Sequence, residues 1–221
     1  MGEAKRRRAH CAYCGTPKVS DDHVPPRSLF AADRTNLITV PACDLHNAKR
    51  STLDEEFRNY VSMRVGNPTP TTQALWNTMV RGMRQNRRMR DQFVRYSVWS
   101  PELQEFEVKI ETDAFKPMIE WITRGLYWHV YRGERLPLDV PIEVHEMRIG
   151  DWLPPFISDM ARQVVGGDQF FYACKRMDDH PTVSVWVYVF HRRLVAMAIT
   201  DHLLADQIIA EHQAASSNTK S

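Results

Sequence analysis

Residues 11–57 read CAYCGTPKVSDDHVPPRSLFAADRTNLITVPACDLHNAKRSTLDEEF, and the spacing of their cysteines, histidines and prolines decides how the chain is read. Cys11 and Cys14 frame a short turn in which Gly15 lets the backbone fold back, so two thiolates face one point. Cys43 and His46 repeat the two-residue spacing, with 28 residues between the pairs. Such a Cys3His set fits tetrahedral Zn2+ with no open position, which makes the expected ion structural. It would staple the ends of an inserted hairpin rather than hold a compact finger.

The insert has the pattern of that hairpin. Residues 19–26, VSDDHVPP, alternate weakly and stop at two prolines, as an edge strand ending in a turn does. Residues 36–41, NLITVP, have the β-branched content of a partner strand. From Asn47 to Tyr60 the composition favours helix, with Leu53, Phe57 and Tyr60 at spacings of four and three. The order is strand, strand, helix. Asp22 and His23 are adjacent on the first strand, so they point to opposite faces and cannot form a simple ion pair. One could bind a metal while the other faces a substrate.

This arrangement resembles the HNH endonucleases of the ββα-metal superfamily in their zinc-knuckle form. The matching elements, in order, are Cys11/Cys14, Asp22-His23-Val24-Pro25, Asn36-Leu37, Cys43/His46 and Asn47-Ala48-Lys49-Arg50, over about fifty of the 221 residues. The resemblance implies that His23 is the general base activating water for in-line attack on a phosphodiester. It implies Asp22 and Asn47 as ligands of a catalytic Mg2+ or Mn2+, and Asn36 as the residue that orients the base through the hairpin backbone. Lys49 or Arg50 would steady a phosphate, Arg50 matching the usual spacing better. Two positions depart from the family name: Asn47 stands where the last His would, and His46 where many relatives have Cys. The second leaves open that His46 binds the catalytic cation and the zinc keeps three thiolates.

The chemistry is consistent with that implication. A histidine near its unperturbed pKa of ~6.5 accepts a water proton close to neutral pH. A divalent cation held by a carboxylate and an amide clamps the phosphate and stabilises the leaving oxygen. Hard oxygen ligands favour Mg2+ or Mn2+ over zinc at this second site.

Charge is unevenly distributed. The net charge is +2, yet residues 1–99 hold 17 Lys/Arg against 9 Asp/Glu, and residues 100–221 hold 12 against 18. The front half suits an anionic partner, DNA in the first place and RNA as the alternative. Residues 1–10, with Lys5, Arg6, Arg7 and Arg8, read as a flexible basic arm. No apolar run approaches the ~20 residues that span a bilayer, and four cysteines, three of them in ligand-spaced clusters, do not suggest a disulfide framework. A cytoplasmic protein without membrane contact is expected.

Beyond Asn67-Pro68-Thr69-Pro70, a rigid break, one long helix is expected from Thr71 or Thr72 to about Tyr96, with Leu75, Met79 and Met83 on its apolar stripe. Arg81, Arg84, Arg88 and Arg95 would form a basic ridge on it, suited to a nucleic-acid backbone. A strand from Phe106, a helix over 114–131 with Ile119, Ile122, Leu126 and Val130 buried, a strand over 142–149 and a meander over 169–177, 183–191 and 194–200 follow. Cys174 reads as packing, and His129, His145, His180, His191 and His202 lack ligand spacing.

The expected fold class is therefore α+β. It comprises a basic arm (1–10), a zinc-stapled ββα-metal HNH module (11–66), an α+β accessory domain with a mainly antiparallel sheet (71–213) and a polar tail (214–221). The expected function is metal-dependent endonuclease activity, with structural Zn2+ and catalytic Mg2+ or Mn2+, nicking DNA as a monomer. A homodimer or a protein regulator would be further partners. The alternatives are a non-catalytic zinc-stabilised nucleic-acid-binding or adaptor module, and a nuclease effector or toxin of phage defence.

Overall fold

A computed structural model describes residues 7–31, 33–47, 50–64, 70–102, 105–108, 113–147, 160–192 and 194–218. The chain is mixed α+β, with a mainly antiparallel sheet and a Cys3His cluster near the N-terminus. Strand β1 (Ser20–His23) pairs antiparallel with β2 (Thr39–Ala42), in a register that sets Asp22 against Val40 and His23 against Thr39. The segment between them carries a single helical turn at Arg27–Leu29, and short α1 (Asp44–Asn47) and α2 (Ser51–Arg64) follow. Strand, strand and helix thus come in the expected order.

The long helix expected over 71–96 is two, α3 (Pro70–Gln85) and α4 (Arg87–Tyr96). Between them the Asn86 carbonyl accepts the Arg90 N–H at 3.1 Å, as an N-cap residue's carbonyl does. The apolar and basic periodicity continues across Asn86, so pattern alone does not register the break. A hairpin of β3 (Ser97–Ser100) and β4 (Glu105–Val108) comes next; β4 holds the strand expected from Phe106, and β3 lies in a stretch to which the sequence assigned no element.

Helix α5 (Phe115–Val130) lies against a five-stranded sheet of order β5-β9-β8-β7-β6, antiparallel throughout: β5 (Ile142–Met147), β6 (Gln163–Val165), β7 (Phe170–Arg176), β8 (Ser184–Phe190) and β9 (Leu194–Thr200). Helix α6 (His202–Asn218) closes the described chain. Alternation on β8 sends Ser184, Trp186, Tyr188 and Phe190 inward. The register puts Ala198 opposite Trp186 and Ala196 opposite Tyr188, so large rings are accommodated by small neighbours. The Tyr188 hydroxyl, fully buried, meets Thr123 Oγ1 of α5 at 2.7 Å, which satisfies a polar group that would otherwise be costly in the core.

One hydrophobic cluster joins the hairpin and the sheet: Tyr13, Val24 and Phe57 pack in the same core as Ile122, Trp186 and Phe190. The hairpin loop is also tied down by polar bonds. Gln169 Nε2 donates to the Asp33 carbonyl at 2.6 Å, its Oε1 accepts the Ala31 N–H at 3.0 Å, and the Gly166 N–H donates to the Thr35 carbonyl at 3.0 Å. Gly166, at φ +63, leaves room for Phe30; a Cβ there would meet the Phe30 ring at 2.2 Å. Among the described residues no helix is long and apolar enough to cross a membrane.

Candidate functional site

The two knuckles are built by local backbone bonds. The Gly15 N–H reaches back to the Cys11 carbonyl at 3.0 Å, with Gly15 at φ +77, and the His46 N–H reaches the Cys43 carbonyl at 3.1 Å. The Ala12 N–H donates to the Pro41 carbonyl at 2.7 Å and joins the first knuckle to the strand that leads into the second. As a result the ligand atoms of Cys11, Cys14, Cys43 and His46 all lie within 4.8 Å of one another.

Tetrahedral zinc with ordinary bond lengths requires edges of about 3.8 Å between two sulfurs and about 3.6 Å between sulfur and nitrogen. Cys14 Sγ and Cys43 Sγ are 3.8 Å apart, and Cys11 Sγ and His46 Nδ1 are 3.5 Å apart. Cys43 Sγ and His46 Nδ1 are somewhat closer, at 3.2 Å. The group could hold a metal such as zinc, with all four positions supplied by the chain. His46 sits with the cysteines. Burial would raise the Cys43 thiol, but hydrogen bonds from Thr16, His46 and Cys14 outweigh it and bring the pKa to about 6, which favours the thiolate a metal needs.

Asp22 and His23 diverge as neighbours on a strand must. Asp22 is buried at 4% exposure, whereas His23 is half-buried on the opposite face. Asp22, expected as a cation ligand, and Arg50, expected on a phosphate, are each other's partners. Arg50 Nη2 donates to Asp22 Oδ1 at 2.6 Å and Nη1 to Oδ2 at 2.8 Å. Oδ2 also accepts the Tyr13 hydroxyl at 2.6 Å and Trp121 Nε1 at 3.2 Å. Three of these four donors fall on Oδ2 and one on Oδ1, so in this arrangement the carboxylate serves the protein's own groups.

The pair is closed in on every side. Tyr13 stacks on Trp121 with ring centroids 4.0 Å apart, the Arg50 guanidinium lies 5.0 Å from the Trp121 ring centre, and Arg50 Nε reaches Asp54 Oδ1 at 2.8 Å. Burial would lower the Arg50 pKa, but the neighbouring carboxylates of Asp22 and Asp54 more than offset it, so the guanidinium stays charged. Burial and the Asp22 charge push the Tyr13 phenol well above its ordinary value, leaving it a neutral donor.

Asn47 donates from Nδ2 to Ser20 Oγ at 2.6 Å. Ser20 and Asp22 alternate onto one face of β1, so Asn47 comes to the Asp22 face. Asn36 is exposed at φ 56 in the turn before β2. Lys49 lies outside the described residues, as do the side chains of Arg88 and Arg95. Arg81 and Arg84 are exposed on α3 and line a cavity with Arg34 and Arg58, two arginines that the helical ridge did not include.

Tyr13 and Trp121 were missed as parts of the site. Trp121 stands 99 residues from Asp22, and its only sequence signal is a large ring set off the apolar stripe of α5. No protein-family model, no curated protein and no solved structure matches the chain.

Proposed function

We propose that the chain is a phosphodiester hydrolase of the HNH kind, an endonuclease acting on DNA, with His23 as the general base. The observation that carries this reading is the hairpin-and-helix unit itself. Its ends are closed by a Cys3His group, and its first strand ends on a half-buried histidine facing away from the structural ion pair. Asn47, reaching β1 from α1, supports it. The resemblance implies a cation that Asp22 and Asn47 would hold; in this arrangement the Asp22 carboxylate is held by Arg50.

The same ion pair favours a second reading, a zinc-stabilised nucleic-acid-binding module that does not cut. Plasmid relaxation in Mg2+ or Mn2+ separates the two. On the first reading the wild-type protein nicks supercoiled DNA and His23→Ala reduces the rate by about 100-fold or more, the usual weight of a general base. Absence of metal-dependent cutting in the wild type would leave the binding module as the function.

A further inference from the structure

A cavity of about 760 Å3 opens between the hairpin loop, α2 and α3, walled by Ser28 and Arg34 from the loop, Arg58 from α2, and Asn77, Arg81 and Arg84 from α3. None of its described lining residues is acidic. Four guanidinium groups around one space repel each other, and the protein does little to offset this. Arg34, Arg81 and Arg84 make no ion pair among the described residues, and Arg58 lies 3.6 Å from Glu55 through Nη2 alone. Arg81 spends its donors on the Asn77 carbonyl and Thr78 Oγ1, both at a long 3.3 Å. Arg34 Nε donates to the Phe30 carbonyl at 3.1 Å.

Among the described lining residues no carboxylate lies across the space from these guanidinium groups, so a bound anion would relieve their repulsion. The arginine fork matches phosphate oxygens, and the volume falls in the range of small-molecule sites, ~300–1,000 Å3.

We propose that this cavity binds the phosphates of a nucleotide, with Arg34, Arg58, Arg81 and Arg84 gathered around the charge. Two sources share that chemistry, a free nucleoside polyphosphate and the phosphorylated end of a nucleic-acid strand. Guanidinium groups from three separate elements converge on one space, which suits a free or terminal phosphate group better than a backbone running past. No described lining residue belongs to β1, so titration without divalent cations reads this site apart from hydrolysis at His23.

Isothermal titration of the full chain with inorganic pyrophosphate and a nucleoside triphosphate, without added Mg2+ or Mn2+, tests the first source. A short oligonucleotide with and without a 5′-phosphate, titrated into His23→Ala so that no cutting intervenes, tests the second. Binding is expected to at least one of the free phosphates or the 5′-phosphorylated strand. Arg58→Met and Arg81→Met should each weaken it by about tenfold, while Arg87→Gln, exposed on α4, leaves it unchanged. Arg81 is exposed, so its variant keeps the test alive if Arg58→Met fails to fold. The proposal is overturned if none of these ligands binds, or if Arg81→Met and Arg87→Gln weaken binding equally, which would mark diffuse attraction to a basic surface.

Discussion

The hairpin region and the five-stranded sheet solve the same problem by different means. The sheet fills its inner face with rings: Phe170, Tyr172, Trp186, Tyr188 and Phe190 are all at most 5% exposed, and stacking and tilted contacts link them across β7 and β8. The hairpin has two strands of four residues and a helix, which is too little apolar surface to stand alone in water. Besides the core that it shares with the sheet, it is closed by discrete polar devices, a Cys3His group at its ends and a buried Asp22–Arg50 pair at its centre. Apolar packing is additive and tolerates loss; a polar closure fails as soon as one partner is removed.

The largest effect should therefore come from the metal ligands. Structural zinc contributes ~10–16 kcal/mol of apparent binding energy in small zinc modules near neutral pH. Cys43→Ser, or removal of the metal by a chelator, should abolish protection of the amides around residues 11–24 and 38–47 in hydrogen exchange. The amides of β7, β8 and β9 should stay protected. Metal analysis of the wild type should give one zinc per chain. Simultaneous loss of protection in the sheet would break the contrast and show that the shared core makes both regions one cooperative unit.

The buried pair comes next. Both side chains are at most 6% exposed, and removing one leaves the other charged and unpaired at a cost of ~3–5 kcal/mol. Asp22→Leu and Arg50→Met should each lower the unfolding free energy by that order, and the double variant should recover part of the loss, because of the charges only that of the part-exposed Asp54 is then without its partner. The same variant sharpens the functional reading. If Asp22 is able to take a cation once Arg50 is gone, Mn2+ should raise the melting temperature of Arg50→Met and leave that of Asp22→Leu unchanged.

What could be read in advance follows from range. The knuckles and the strand order were legible because their determinants are local: two-residue ligand spacings, prolines that end a strand, and alternation. The meander over β7, β8 and β9 was legible for the same reason. Asp22 and Arg50 are 28 residues apart, and their enclosure is completed by Trp121, whose place depends on how α5 crosses the hairpin. The family resemblance implied a metal ligand and a phosphate contact for two groups that here pair with each other. The arginine cavity was likewise half visible. Arg81 and Arg84 fall at helical spacing, but Arg34 and Arg58 reach them only through the tertiary fold.

The seam between the two regions carries the smallest of the expected effects. His191, at 4% exposure, faces Leu29 of the hairpin loop, and its Nε2–H donates to the Leu29 carbonyl at 3.1 Å. Burial drives its pKa down to about 4, against a helping contribution from that bond and from Asp168. Because the folded pKa lies below the unfolded value of ~6.5, the folded state binds fewer protons between the two. The stability that neutral His191 contributes is thus fully present above pH ~6.5 and is lost as pH falls towards 4, by about 3 kcal/mol at the acid end. Denaturant midpoints of the wild type should fall over this window. His191→Gln, which keeps a donor for Leu29 but cannot take up a proton, should flatten the profile. A profile equally steep in the variant would move the acid sensitivity away from the seam and towards the metal-binding thiolates, which also take up protons as pH falls.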